Sequence, residues 1–178
     1  MTGYDAVVYD LDGTVVHLDV DWSIVERDVR RVYEDAAIDP PGNGLWDMLE
    51  AADDHGVVDP VEDAIASHER AGARRSHRLP RADELLDRSV PVGVCSLNCE
   101  DACRIALSEH DLAEGVETVV GRDTVGTQKP HPEPLLEAVR ALDAAPDRVL
   151  FVGDSATDER TADRAGVDFE YVGDGRAE

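Results

Sequence analysis

Lysine is all but absent: sixteen of the seventeen basic residues are arginine, and Lys129 is the single lysine. Basic residues are scarce altogether, set against forty Asp and Glu, for a net charge of −23. A shell of that sign repels phosphate backbones and anionic headgroups, which argues against nucleic acid and membranes as partners. Aromatics make up only 4% of the chain, yet apolar residues reach 42%, too many for a disordered protein. No apolar run is long enough to span a bilayer, and no signal-peptide pattern is present. The cysteines number three, an odd count. Together these features predict a reducing cytoplasm rather than a disulfide framework. Cys95, Cys99 and Cys103 do not have the spacing of a zinc or iron–sulfur site, and read as small apolar side chains. No repeat or low-complexity segment is visible, and 178 residues support one domain, or one domain with a modest insertion.

An acidic, lysine-poor surface resembles those of proteins from cells that keep molar salt, where salt screens the self-repulsion. The melting temperature is therefore expected to rise from dilute buffer to molar KCl. A flat melting temperature across that range would instead mark an ordinary acidic protein.

The chain is organised around Tyr9-Asp10-Leu11-Asp12-Gly13-Thr14. Asp5 to Tyr9 is short, apolar and β-prone, as a buried parallel strand is. In an open α/β sheet, ligands bind beyond the carboxyl ends of the strands. Asp10 and Asp12 would stand there, either as an acidic turn or as paired carboxylates neutralised by a cation. Val15 to Val20 alternates like a short hairpin. Three helical patterns follow, beginning at Ile24, Leu45 and Val61, with breaks at 39–44 and 53–60 and no strand among them. Residues 19–79 thus read as a helical insertion between the first strand and the rest.

From Pro80 onward strands and helices alternate, which predicts a parallel sheet covered on both faces. Four strand ends carry polar groups: Asp10 and Asp12, then Ser96, then Lys129 in Thr127-Gln128-Lys129-Pro130, and last Gly153-Asp154-Ser155 with Asp158 close behind. All four would converge on one crevice.

This set resembles the haloacid dehalogenase-like hydrolase superfamily, in particular its phosphatases. The matching motifs are Asp10-Leu11-Asp12-Gly13-Thr14, Ser96 closing an apolar strand, Lys129-Pro130 and Gly153-Asp154-Ser155-Ala156-Thr157-Asp158. The resemblance implies an α/β fold, a three-layer Rossmann-like core of residues 1–18 and 80–178 with a small all-helical cap of residues 19–79 inserted after the first strand. It implies a Mg²⁺-dependent phosphatase acting on a small phosphate monoester through an aspartyl-phosphate. Phosphoglycolate and sugar phosphates are the default substrates. Asp10 would be the nucleophile and Asp12 the general acid and base. Asp10, Asp154 and the backbone carbonyl of Asp12 would ligate Mg²⁺. Ser96, Lys129 and the backbone N–H groups around Leu97 and Asn98 would hold the phosphoryl oxygens. Asp158 would orient the metal shell or Lys129. Asp12 itself favours an oxygen leaving group, because it can protonate one.

The stretch Arg70 to Arg81 holds five arginines and no acid. Arg74, Arg75 and Arg78 either meet a second anionic group on the substrate or pair with the protein's own acids. His17 and His131 read as turn residues near the site. Two alternatives stay open: a phosphomutase using the same residues, and a non-catalytic receiver-like module that accepts phosphate on aspartate and signals through its surface. The implied partner is a small phosphorylated metabolite, with the chain as monomer or homodimer.

Overall fold

The computed structural model describes residues 3–173. In chain order it contains β1 (Ala6–Tyr9), β2 (Val16–His17), α1 (Trp22–Asp35), α2 (Leu45–Ala51), α3 (Val58–Ala73), β3 (His77–Arg78) and α4 (Arg81–Leu86). There follow β4 (Val92–Cys95), α5 (Glu100–Glu109), β5 (Thr118–Val120), α6 (Glu133–Ala141), β6 (Val149–Gly153), α7 (Ala156–Ala165) and β7 (Asp168–Tyr171). Five strands form one parallel sheet in the order β5-β4-β1-β6-β7. This is the α/β, Rossmann-like architecture expected from the alternation of strands and helices.

The first strand explains the layering. Successive residues of a strand point to opposite faces. Val7 and Tyr9 belong to an apolar cluster with Ala102, Cys103, Ala106 and Leu107 of α5 and Leu85 of α4. Ala6 and Val8 face the other way, toward Leu135, Ala138 and Val139 of α6 and Ala162 of α7. Covered on both sides, β1 is buried along its whole length, which is why it reads as a continuous apolar run. Its central place between β4 and β6 is the point where the order of strands reverses, so the crevice opens beside its carboxyl end.

The three helices between β2 and β3 share a separate apolar cluster, built on Val25, Val29 and Tyr33 of α1, Leu45, Met48 and Leu49 of α2, and Val61 and Ile65 of α3. The side chain of Asp21 caps α1 by accepting from the backbone N–H of Ser23 and Ile24. Val25, Val29 and Tyr33 are buried at four-residue spacing, while Ile24, expected on the same face, is exposed. Helix α3 begins at Val58 and so takes in Pro60, within the stretch 53–60 expected as a break. Proline is tolerated in a first turn, where the amide has no partner within the helix.

The expected hairpin within residues 15–20 does not form. Val16–His17 pairs instead with His77–Arg78, antiparallel, across the whole helical insertion. The alternation was real, but the partner strand is supplied by the returning chain. Where α3 passes this two-stranded ribbon, a Cβ on Gly72 would stand 2.8 Å from the Asp19 carbonyl oxygen, so only glycine permits the approach.

Candidate active site

Strand β1 delivers Asp10 to the rim of the sheet, and the Asp10 amide donates to the Val152 carbonyl, 2.8 Å away, continuing the ladder to β6 by one residue. The chain then turns sharply. Gly13 has φ +86°, and a Cβ there would fall 2.2 Å from Oδ2 of Asp154. The glycine is thus required by backbone conformation and by the closeness of the two acidic turns.

Lys129 is the hub. Its ammonium donates to Asp10 Oδ1 at 2.8 Å, to Asp158 Oδ1 at 2.6 Å and to the Cys95 carbonyl at 3.2 Å. Three acceptors match the three protons of an ammonium. All three acidic and basic partners are buried. Burial pushes the Asp10 carboxyl up to about 7; Lys129 opposes this, while Asp158 and Asp154 add to it. Burial works against the Lys129 ammonium, but Asp10 and Asp158 outweigh it and hold its pKa above the ordinary value.

Carboxylate oxygens of Asp10, Asp154 and Asp158 lie within 4.8 Å of one another. An all-oxygen cluster of this kind suits a hard cation such as Mg²⁺. Its members are not equivalent. Asp158 Oδ1 accepts from Lys129, and Oδ2 accepts from the hydroxyl of Ser155 at 2.6 Å and its amide at 3.2 Å. Ser155 and Asp158 form the capping box of α7, so both oxygens of Asp158 are already engaged. Asp10 and Asp154 are the carboxylates with room for a cation. The Asp154 carboxyl is raised by partial burial and then by Asp158.

Asp12, expected to offer a metal ion its backbone carbonyl, has its carboxylate elsewhere. Oδ1 accepts from the Leu18 amide at 2.8 Å and lies 3.5 Å from Nδ1 of His17. It is absent from the acidic cluster, which leaves only its backbone carbonyl for that task. Burial raises its carboxyl above the usual range, against the pull of the Leu18 amide. That direction favours a group able to carry a proton.

Ser96 follows β4, its amide donating to the Val120 carbonyl at 2.9 Å. Its hydroxyl accepts from the Asn98 amide and donates to Asn98 Oδ1, both at 3.1 Å. Asp10, Asp12, Ser96, Leu97, Asn98, Lys129, Asp154 and Asp158 all border one cleft of about 230 Å³. The motifs therefore meet in space as their strand-end positions predicted.

The arginine island does not. Arg75 pairs with Asp19 at 2.9 Å, Arg78 with Asp83 at 2.5 Å and with the His110 carbonyl, and Arg74 with the Arg70 carbonyl. None of the three borders the cleft. They sit at the end of α3 and on the ribbon. His17, on the ribbon, is close to Asp12, and the His131 ring accepts from the Glu133 amide at the start of α6. The thiols of Cys95 and Cys99 are pushed up to about 12 by burial, in keeping with an apolar role.

Two sets of residues were not foreseen. Glu69 of α3 is fully buried and reaches the loop after β4, accepting from the Asn98 side chain at 3.2 Å and from the Cys99 amide at 3.0 Å. Arg122 bridges it to Glu62, with donors at 2.7 Å from Glu69 and 2.9 Å from Glu62, and also donates to the Leu97 carbonyl at 2.8 Å. A signal existed: Glu69 stands four residues after Ile65 and eight after Val61, on the apolar stripe of its helix. The second set is Trp22 and Trp46, which also border the cleft. Each begins or nearly begins a helix, α1 and α2; Trp22 packs against the apolar cluster of these helices and Trp46 is exposed.

The family model described as haloacid dehalogenase-like hydrolase matches residues 64–172. A phosphoglycolate phosphatase of Rhodospirillum rubrum is 31% identical over 185 residues, which cover 91% of this chain and 76% of that protein. A superfamily hydrolase of subfamily IA from Geobacter sulfurreducens superimposes with a TM-score of 0.62 at 26% identity, over 94% of this chain and 88% of its own. CbbY from Rhodobacter sphaeroides, solved in complex with phosphate, has the same fold at a TM-score of 0.70 and 16% identity, over 94% and 85% of the two chains. Among the described residues no helix is long and apolar enough to cross a membrane.

Proposed function

This chain belongs to the haloacid dehalogenase-like hydrolase family, and from that premise we propose a Mg²⁺-dependent phosphatase that works through an aspartyl-phosphate on Asp10. It is a phosphoric monoester hydrolase, similar to phosphoglycolate phosphatases, and its substrate is a small phosphate monoester of the phosphoglycolate or sugar-phosphate type. The observation that carries the reading is the buried triad of Asp10, Lys129 and Asp158 beside Asp154, at the crevice where the strand order reverses.

Asp10 attacks phosphorus. Asp12 gives its proton to the departing oxygen, then takes one from the water that cleaves the acyl-phosphate. A carboxyl raised by burial suits that first step. Lys129 is held by Asp10 and Asp158 until Asp10 turns to phosphorus, and one of its protons is then free for a phosphoryl oxygen. The Ser96 hydroxyl and the backbone around Leu97 and Asn98 hold the others. Asp158 keeps Lys129 in place and is itself held by Ser155. The carboxylates of Asp10 and Asp154 and the Asp12 carbonyl would hold Mg²⁺, which neutralises charge on phosphate and carboxylate when bound. Residues 19–79 would act as the cap and exclude water from the cleft, with α3 held to the core by Ala66, Ala73 and the Glu69–Arg122 pair. The separate apolar cluster of α1, α2 and α3 supports that assignment.

The test is phosphate release from p-nitrophenyl phosphate in molar KCl. Turnover is expected with Mg²⁺, to be lost with a chelator, and to fall by on the order of 10⁴-fold or more in Asp10→Asn. Turnover by Asp10→Asn at the wild-type rate would overturn the reading.

A further inference from the structure

Resting on the phosphatase reading, we propose that the leaving group of the substrate is uncharged and lays a flat or CH-lined apolar face against Trp22 and Trp46. The two rings stand 5.9 Å apart between centroids, tilted by 44°. Both border the active cleft of about 230 Å³, and both also border a larger hollow of about 500 Å³, with Leu45 and Glu26. Trp46 further borders a third hollow, of about 210 Å³, with Leu97 and Pro130. The tryptophan pair therefore stands where the phosphoryl site opens into space for the remainder of a substrate.

The exposure of Trp46 shows that folding does not claim it. Leu45, Met48 and Leu49 of the same short helix are buried, whereas Trp46 is 49% exposed. Trp22 is half-buried against the apolar cluster of the three helices, which fixes the ring that Trp46 leans on. An indole left open beside a polar cleft, as Trp46 is, suits stacking on a flat ligand face, gaining contact area at little cost in conformational freedom.

Charge sets the rest. The charged side chains along the cleft and the adjoining hollow are Asp10, Asp12, Asp154, Asp158 and Glu26, against Lys129 alone. Lys129 is already held by Asp10 and Asp158. Arg74, Arg75 and Arg78 are at the end of α3 and on the ribbon, engaged by the Arg70 carbonyl, Asp19 and Asp83. With Mg²⁺ on Asp10 and Asp154, a proton on Asp12 and Lys129 on Asp158, the uncompensated charge facing the leaving group is Glu26. No basic side chain borders that hollow, so a carboxylate there gains no partner and meets like charge, which disfavours the ester that carries it. Phosphoglycolate is such an ester. A sugar phosphate or an aryl phosphate is not, and either offers the face that the tryptophans would accept.

The experiment compares kcat/KM of the full chain, in molar KCl with Mg²⁺, for ribose 5-phosphate, phenyl phosphate and 2-phosphoglycolate. At least one of the two uncharged-alcohol esters is expected to exceed phosphoglycolate by about tenfold or more, and their ranking separates a sugar face from a planar ring. Trp46→Ala is expected to raise KM for the preferred ester roughly tenfold with kcat within about threefold, while Trp46→Phe retains a KM close to wild type. The chain has two tryptophans, so its intrinsic fluorescence reports this place directly. In Asp10→Asn, titration with the preferred ester is expected to change that emission at concentrations where phosphoglycolate does not. A preference for phosphoglycolate, or a Trp46→Ala variant with unchanged KM on all three esters, would overturn the inference and leave the phosphatase reading standing. Folded wild type that turns over none of the three would overturn both.

Discussion

Lys129→Met is expected to lower kcat/KM by on the order of 10³-fold and to destabilise the fold by about 3–5 kcal/mol. The two effects share one cause. The ammonium lies 2.8 Å from Asp10 and 2.6 Å from Asp158, with all three side chains almost fully removed from solvent. Without it, two carboxylates face each other in a site that already raises Asp10 by burial. Removing one partner of a buried pair leaves the desolvation cost with nothing to offset it. Saturating Mg²⁺ is expected to recover part of the stability, since a cation bound only by the folded state stabilises it by mass action. Lys129→Arg separates charge from shape. A planar guanidinium cannot send three protons to Asp10, Asp158 and the Cys95 carbonyl from one point. It is expected to recover stability more than activity. Urea unfolding with and without Mg²⁺, alongside steady-state phosphate release, checks both halves. A Lys129→Met enzyme with wild-type kcat/KM would sink the assignment.

The second large effect lies away from the phosphoryl site. Arg122→Met is expected to cost about 3–5 kcal/mol, a fall in melting temperature of roughly 6–20 °C for a chain of this size. Glu69 is fully buried and Arg122 nearly so, and the pair ties α3 to the loop that carries Ser96, Leu97 and Asn98. The double variant Glu69→Leu with Arg122→Met is expected to regain part of the loss, because Glu69 is then no longer a buried unpaired charge, while Glu62 stays without its partner and the Asn98 side chain and Cys99 amide lose their acceptor. Thermal melts of the single and double variants measure the coupling directly. If the two single losses simply add, the ion pair is not what holds α3 to this loop.

Why these two clusters differ in legibility is physical. Asp10, Asp12, Ser96, Lys129 and Asp154 were readable because each follows a strand, and parallel strands present their carboxyl ends on one side. The single lysine of an arginine-rich chain stood out by residue type alone. Glu69 and Arg122 are 53 residues apart and pair through the packing of a helix on a loop, which no local pattern encodes. The partner of Val16–His17 was hidden for the same reason, since alternation tells that a strand exists and not what it pairs with. Asp158 was readable as a member of the site, but the choice between metal and lysine turned on Ser155, whose hydroxyl occupies the second oxygen. The arginine island was conspicuous by composition, and its location on the ribbon follows from the path of the returning chain.

The central position of β1 has a consequence for how the protein is made. Val8 pairs with Gly93 on one side and Phe151 on the other, so this strand waits for partners encoded far downstream. At roughly 5–20 residues per second, the wait for β6 lasts on the order of 7–30 s. During that time α1, α2 and α3 can gather their own apolar cluster, since all of it is already synthesised. Meanwhile Ala6 to Tyr9 is an unpaired apolar strand, the kind of segment that joins other chains. It is bounded by Asp5 on one side and by Asp10 and Asp12 on the other. Charges flanking a sticky strand discourage such pairing. The acids proposed for chemistry thus also stand where charge discourages the nascent strand from joining other chains, before there is a cleft for them to serve.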